Sequence, residues 1–110
     1  MARSSVSLEA IKEAAAAVAK ANGATLALIF GSHARGTATR RSDVDVIFVE
    51  DTTDRFLDRL SRYMDPLADR LRAPVEVLVY TPEEFENMKQ RHLVKRAMAE
   101  GVVAYERGES

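Results

Sequence analysis

The chain has 110 residues, 46% apolar and 30% charged, a composition that suits one folded domain with a modest core and argues against disorder. A net charge of -1 gives no global pull toward nucleic acid or an anionic membrane, and the absence of cysteine excludes disulfides, thiol catalysis and cysteine-bound metals. Its apolar runs are too short to span a bilayer, and Glu9, Lys12 and Glu13 among the N-terminal alanines do not read as a signal peptide. A single cytoplasmic domain over residues 1–110 is expected.

Leu8, Ile11, Ala15 and Val18 recur at helical spacing, so a helix is expected from Ser5 or Ser7 to the Asn22-Gly23 stop. Thr25 to Phe30 reads as a buried strand. Gly31 to Ser42 has no apolar period and reads as a loop, or a loop opening a short helix. Val44 to Val49 is β-branched and aromatic, a second strand paired with the first. The link between them is too short for a helical crossover, which predicts an antiparallel pair. Asp51-Thr52-Thr53-Asp54 offers several N-caps. Phe56, Leu60, Tyr63, Leu67 and Leu71 then predict a helix, kinked or split in two at Pro66. Val75 to Tyr80 is a third strand. Thr81-Pro82-Glu83-Glu84 is a capping-box helix start, with a helix broken near His92 and ending at Gly101. Val102 to Tyr105 is a short last strand. The order αββαβα(β) predicts an α/β (α+β) domain: a small mixed or antiparallel sheet flanked by helices.

Asp43 and Asp45 stand two apart at the mouth of the second strand, so they share a face with Ile47 and Val49. Paired carboxylates repel and resist desolvation, and a divalent cation relieves both effects. Mg²⁺ takes hard oxygen ligands, one or two carboxylates plus waters and substrate phosphates. Glu76, the sole charge inside the third strand, is either an outward-facing edge residue or a third ligand. Taken singly, each acid also suits a solvated position. The three together, with a Gly-Ser turn upstream, point to a two-metal site.

Gly31 lets a backbone come close to a phosphate, Ser32 adds a hydroxyl, and Arg35, Arg40 and Arg41 place positive charge nearby. Gly31-x-x-x-x-Gly36-Thr37 misses the Walker A loop, which needs Lys where Thr37 stands.

Gly31-Ser32, Ala34-Arg35-Gly36, Ala38 and Ser42-Asp43-Val44-Asp45-Val46 together resemble the G-S-x-A-R-G-x-A…S-D-x-D signature of the minimal nucleotidyltransferases, of the DNA polymerase-β-like superfamily. MntA-type antitoxins paired with HEPN-domain toxins belong to that group. The stretches Pro74 to Tyr80 and Glu100 to Glu106 also look like that family's third strand and end. The resemblance implies a polymerase-β-like fold. It implies that Gly31 and Ser32 grip the triphosphate of an NTP, and that Asp43, Asp45 and Glu76 bind two Mg²⁺ ions. Arg35 would either stabilise phosphate charge or buttress the loop through a core acid. The family usually has Asp where Glu76 stands, one methylene shorter, and Val46 replaces the usual Leu. His33 falls at a variable position and reads as exposed loop, and His92 as helix surface.

The activity so implied is transfer of a nucleoside monophosphate, AMP from ATP, to a macromolecular hydroxyl. A tyrosine of a cognate HEPN toxin is preferred over RNA. Neither histidine has an arginine at the R-x(4–6)-H spacing, so a HEPN partner would be a separate chain. The alternative is an antitoxin that neutralises by contact, with a weak or inactive site. A small-molecule acceptor would need an extra domain, for which the chain has little room. Phe85, Met88, Leu93, Val94 and Met98 read as core, with some available to a dimer or partner surface. Lys89, Arg91, Lys95 and Arg96 read as a solvated basic face paired with Glu83, Glu84 and Glu86.

Overall fold

A computed structural model describes residues 6–108. Helix α1 (Leu8–Asn22) starts where Ser7 caps it: the Ser7 hydroxyl accepts from Ala10 N at 3.1 Å. Ser5, the other expected start, lies outside the described residues. The helix stops at Gly23, whose left-handed φ of 78° favours glycine. Strand β1 (Leu26–Phe30), the four-residue helix α2 (Ser32–Arg35) and strand β2 (Val44–Val49) follow. Then come α3 (Phe56–Leu71), β3 (Val75–Tyr80), α4 (Pro82–Met88), α5 (His92–Glu100) and β4 (Val102–Glu106). The Thr81 capping box is formed in both directions, and the expected helix break falls just before His92.

The four strands make one mixed sheet in the order β3-β2-β1-β4. Strand β1 runs antiparallel to β2 and β4, whereas β3, brought back by α3, runs parallel to β2. Period-two alternation splits the sheet's side chains into two layers. Val44, Val46, Phe48, Ala27, Ile29, Val77 and Val79 pack against α1 and α3. Leu28, Ile47, Val49 and Tyr80 pack against Phe85 of α4 and Val94 and Ala97 of α5. Both faces are thus covered by helices, matching the expected fold class.

Helix α3 runs as one helix through Pro66, not as two abutting helices. Proline removes the N–H that would have bonded the Arg62 carbonyl. Asn22, at the end of α1, donates its side-chain amide to that carbonyl at 3.1 Å and so supplies the missing bond. Tyr63 of the same helix is fully buried, stacks on Phe48 at 4.5 Å between centroids, and donates its hydroxyl to Glu50. Arg59, only 5% exposed, ties α3 to β3 and α4 through Val79 O at 3.1 Å and both carboxylate oxygens of Glu84 at 2.7 and 3.2 Å.

Candidate active site

The site lies where β1 ends and β2 and β3 begin. At the end of β1 the chain turns at Gly31, with φ 79° and ψ -156°, a region essentially restricted to glycine. A Cβ at Gly31 would also collide with Oδ2 of Asp45. Glycine is therefore required twice, by its own backbone and by the carboxylate lying over it. The Gly31 carbonyl accepts from Ala34 N and Arg35 N, both at 3.1 Å, closing the first turn of α2 directly after Ser32. Gly36, with φ 78°, ends that helix. The following loop is knit by its own hydroxyls: Ser42 Oγ accepts from Thr39 N at 2.9 Å, and Thr39 Oγ1 from Arg41 N at 3.2 Å.

Asp43 is exposed just before β2, and Asp45 is half-buried on it. In the sheet register Asp45 stands between Phe30 of β1 and Glu76 of β3. Asp45 shares its face with Ile47 and Val49, as alternation predicts. Glu76 shares that face and is exposed on edge strand β3. Both descriptions foreseen for Glu76 therefore hold at once: it lies outward on an edge strand, and it lies beside Asp45. Burial first, then hydrogen-bonding contact with Glu76, then the negative charges of Glu76 and Asp43 push the Asp45 carboxyl up from 3.8 to about 6. Arg35 offsets part of this.

A carboxyl held above its ordinary value by burial and by neighbouring acids is one that a divalent cation would relieve. The donors are hard oxygens, which suit Mg²⁺. Among the described residues no group of three or more His, Cys, Asp or Glu side chains is placed to hold a metal ion, so Asp43, Asp45 and Glu76 do not form a complete ligand set on their own. The arrangement fits an open site, of the kind Mg²⁺ completes with waters and phosphate oxygens.

Of the two roles expected for Arg35, the ion pair with a core acid is not formed. Its partner is instead Glu100, at the end of α5, at 3.7 Å with both side chains about two-fifths exposed. Glu100 also meets Arg96 at 3.4 Å. Such an exposed pair holds little energy and leaves the guanidinium free to turn. Arg40 and Arg41 are exposed in the loop.

His33 departs from expectation. It is not exposed loop but buried, 7% exposed, with Nδ1 3.1 Å from the carbonyl oxygen of Asp43. No periodicity marked it, because a four-residue helix is too short to show one. His92 is on the helix surface, as expected. On the last helices Phe85 and Val94 are buried, whereas Leu93 and Met98 are each 47% exposed. Of the basic residues there, Lys89 pairs with Glu86 at 2.7 Å and Arg96 with Glu100, while Glu84 is taken by Arg59. No helix among the described residues is long and apolar enough to cross a membrane.

The nucleotidyltransferase domain family model matches residues 11–104, and the chain belongs to that family. No curated protein matches it. Among solved structures it is similar to a chain of a toxin–antitoxin structure solved with AMP-PNP. That likeness has a TM-score of 0.64 and 20% identity over 90% of this chain and 74% of the other. It is also similar to a protein described as a nucleotidyltransferase from Sulfolobus solfataricus. There the TM-score is 0.57 and the identity 25%, over 87% of this chain and 77% of the other. The fold is thus that of the nucleotidyltransferases.

Proposed function

We propose that residues 1–110 act as one minimal nucleotidyltransferase domain that transfers AMP from ATP, with Mg²⁺, to a hydroxyl of a macromolecule. The observation that carries this reading is the in-register pair Asp45–Glu76, with Asp43 exposed just before β2 and the Gly31-Ser32 turn against Asp45.

In this reading Asp43, Asp45 and Glu76 hold the metal. When bound, it would supply charge neutralisation at the phosphates and a lowered pKa for the attacking hydroxyl. Gly31 and Ser32 hold the triphosphate, the first by offering close backbone approach and the second by its hydroxyl. Arg35 turns from Glu100 toward the phosphates, since its present pairing is weak. The nucleotide is thereby oriented for in-line attack at the α-phosphorus. The open, exposed rim around Asp43 and Glu76 suits an acceptor delivered on another macromolecule.

We infer that the acceptor is a tyrosine of a partner toxin, of the HEPN class, and that the protein serves as a cytoplasmic antitoxin. The fold likeness to a toxin–antitoxin chain solved with AMP-PNP supports both the setting and an adenine nucleotide as donor. A second reading rests on Glu76: its extra methylene loosens a geometry about which Mg²⁺ is strict, which favours neutralisation by contact alone.

The test is calorimetric titration of ATP with and without Mg²⁺, on wild type and on the Asp43→Asn, Asp45→Asn double variant. Mg²⁺-dependent binding that the double variant loses is expected. No binding by folded wild type at millimolar ATP and Mg²⁺ would overturn the enzymatic reading in favour of the contact antitoxin.

A further inference from the structure

His33 is the second residue of α2, and its buried ring meets the backbone of Asp43. A carbonyl has no proton to give, so Nδ1 is the donor and carries hydrogen. That carbonyl needs one. Val44 N donates to Pro74 O at 3.0 Å, on the β3 side of the strand. In the trans peptide that joins Asp43 to Val44, the Asp43 carbonyl points opposite to Val44 N–H, to the side where β1 would continue. The ladder between β1 and β2 ends at Phe30 and Asp45, and the chain leaves the sheet at Gly31. His33 supplies the donor that the departed strand no longer offers.

The bond joins two parts that the sequence separates by an exposed loop. The segment from Gly36 to Ser42 is closed mainly by its own turn bonds. Asp43 is also tied to the sheet through β2, where Val44 N donates to Pro74 O and Asp45 pairs with Phe30; the His33 bond adds a direct tie from the α2 side. We propose that His33 is a positioning residue: its Nδ1–H fixes the Asp43 carboxylate against the Gly31-Ser32 turn, so that metal ligand and phosphate grip are held at one separation. The proposal rests on reading Asp43 as a metal ligand and Gly31-Ser32 as the phosphate turn.

Simple packing is the competing role, since His33 also lines a surface hollow with Val6, Leu8, Ala34 and Ala38. Three substitutions in the full chain separate the two roles. His33→Asn places an amide N–H where Nδ1 stood. His33→Gln places it one bond farther out. His33→Leu keeps apolar bulk and removes the donor. The readouts are ATP affinity by calorimetry with and without Mg²⁺, and amide hydrogen exchange over residues 36–44.

Positioning predicts that Leu and Gln weaken Mg²⁺-dependent ATP affinity about tenfold, as loss of a ligand's outer partner does, while Mg²⁺-free affinity stays near wild type. Exchange over the loop rises in both, and Asn restores both readouts to nearly wild-type values. If Leu does not fold, the Asn–Gln comparison carries the test. Equal Mg²⁺ dependence in wild type and the donor-less variants overturns the positioning role alone, as does an Asn variant as impaired as Gln. A folded wild type with no Mg²⁺-dependent binding overturns the underlying reading, and this role with it.

Discussion

Asp45 on β2 and Glu76 on β3 are register partners in a parallel strand pair, so two acids from distant parts of the chain meet side by side on one sheet face. Their proximity, with burial, sets the electrostatics of the site. The Asp45 carboxyl is raised to about 6, so the native state holds a proton between pH 3.8 and about 6 that the unfolded chain has released. Stability therefore falls as pH rises through that window. The shift caps the cost at about 3 kcal/mol, and solvent screening reduces it to on the order of 1 kcal/mol. Asp45→Asn should raise the unfolding midpoint of metal-free protein at pH 7.5 and leave it unchanged at pH 4, as thermal unfolding at the two pH values will show.

The same proton competes with a cation. Mg²⁺-dependent ATP affinity should be flat above pH 7 and drop about tenfold per unit once the pH falls below 6. Titration calorimetry across pH 5 to 8 checks this, with ATP binding in the absence of Mg²⁺ as the control. A profile flat down to pH 5 would remove Asp45 from the metal site.

Gly31→Ala should be damaging both to stability and to the site. An alanine at φ 79° and ψ -156° is strained, and its Cβ meets Asp45 Oδ2. The cost is about 2 kcal/mol or more, with loss of nucleotide binding. Asp45→Ala added to it should recover the clash but not the backbone strain, so the double variant should be partly restabilised. Chemical denaturation of the set measures this.

Asn22 compensates for Pro66. Asn22→Ala removes the donor to the Arg62 carbonyl and should cost about 1–2 kcal/mol. In a Pro66→Ala background residue 66 supplies its own N–H to that carbonyl, and the same substitution should cost markedly less. A double-mutant cycle by denaturant unfolding reads the coupling, and additivity would reject the account.

Glu84 is held below the ordinary carboxylate range, mainly by Arg59. A depressed acid contributes stability above its unfolded pKa and loses it as pH falls through the folded value. Glu84→Gln leaves the buried Arg59 charge without its carboxylate and should cost about 2 kcal/mol at pH 7, with the difference closing in acid below the ordinary glutamate range. Unfolding midpoints at pH 7 and pH 3 test the sign.

The local elements were legible in the sequence wherever one short-range rule decided them. Ser7 capping, the Gly23 stop, the Thr81 box and the alternation of Val44 to Val49 each depend on neighbours a few residues away. The face of Asp45, shared with Ile47 and Val49, was legible for the same reason, whereas Asp43 falls one residue before the strand and alternation does not fix its face. What depended on chain partners far apart was not. That Pro66 sits inside one continuous helix was decided by Asn22 donating from α1. That Arg35 faces Glu100 was decided by where α5 ends. That His33 is buried was decided by β1 leaving the sheet one residue after Phe30, which turns an unpartnered Asp43 carbonyl toward α2.

The sequence by itself determined which residues carry charge, which turns require glycine and which faces are apolar, because these follow from residue type and local period. Only the tertiary structure decided which charges meet. The parallel return of β3 through α3 placed Glu76 opposite Asp45, and register between strands is set by the buried faces of the whole sheet, not by either strand alone.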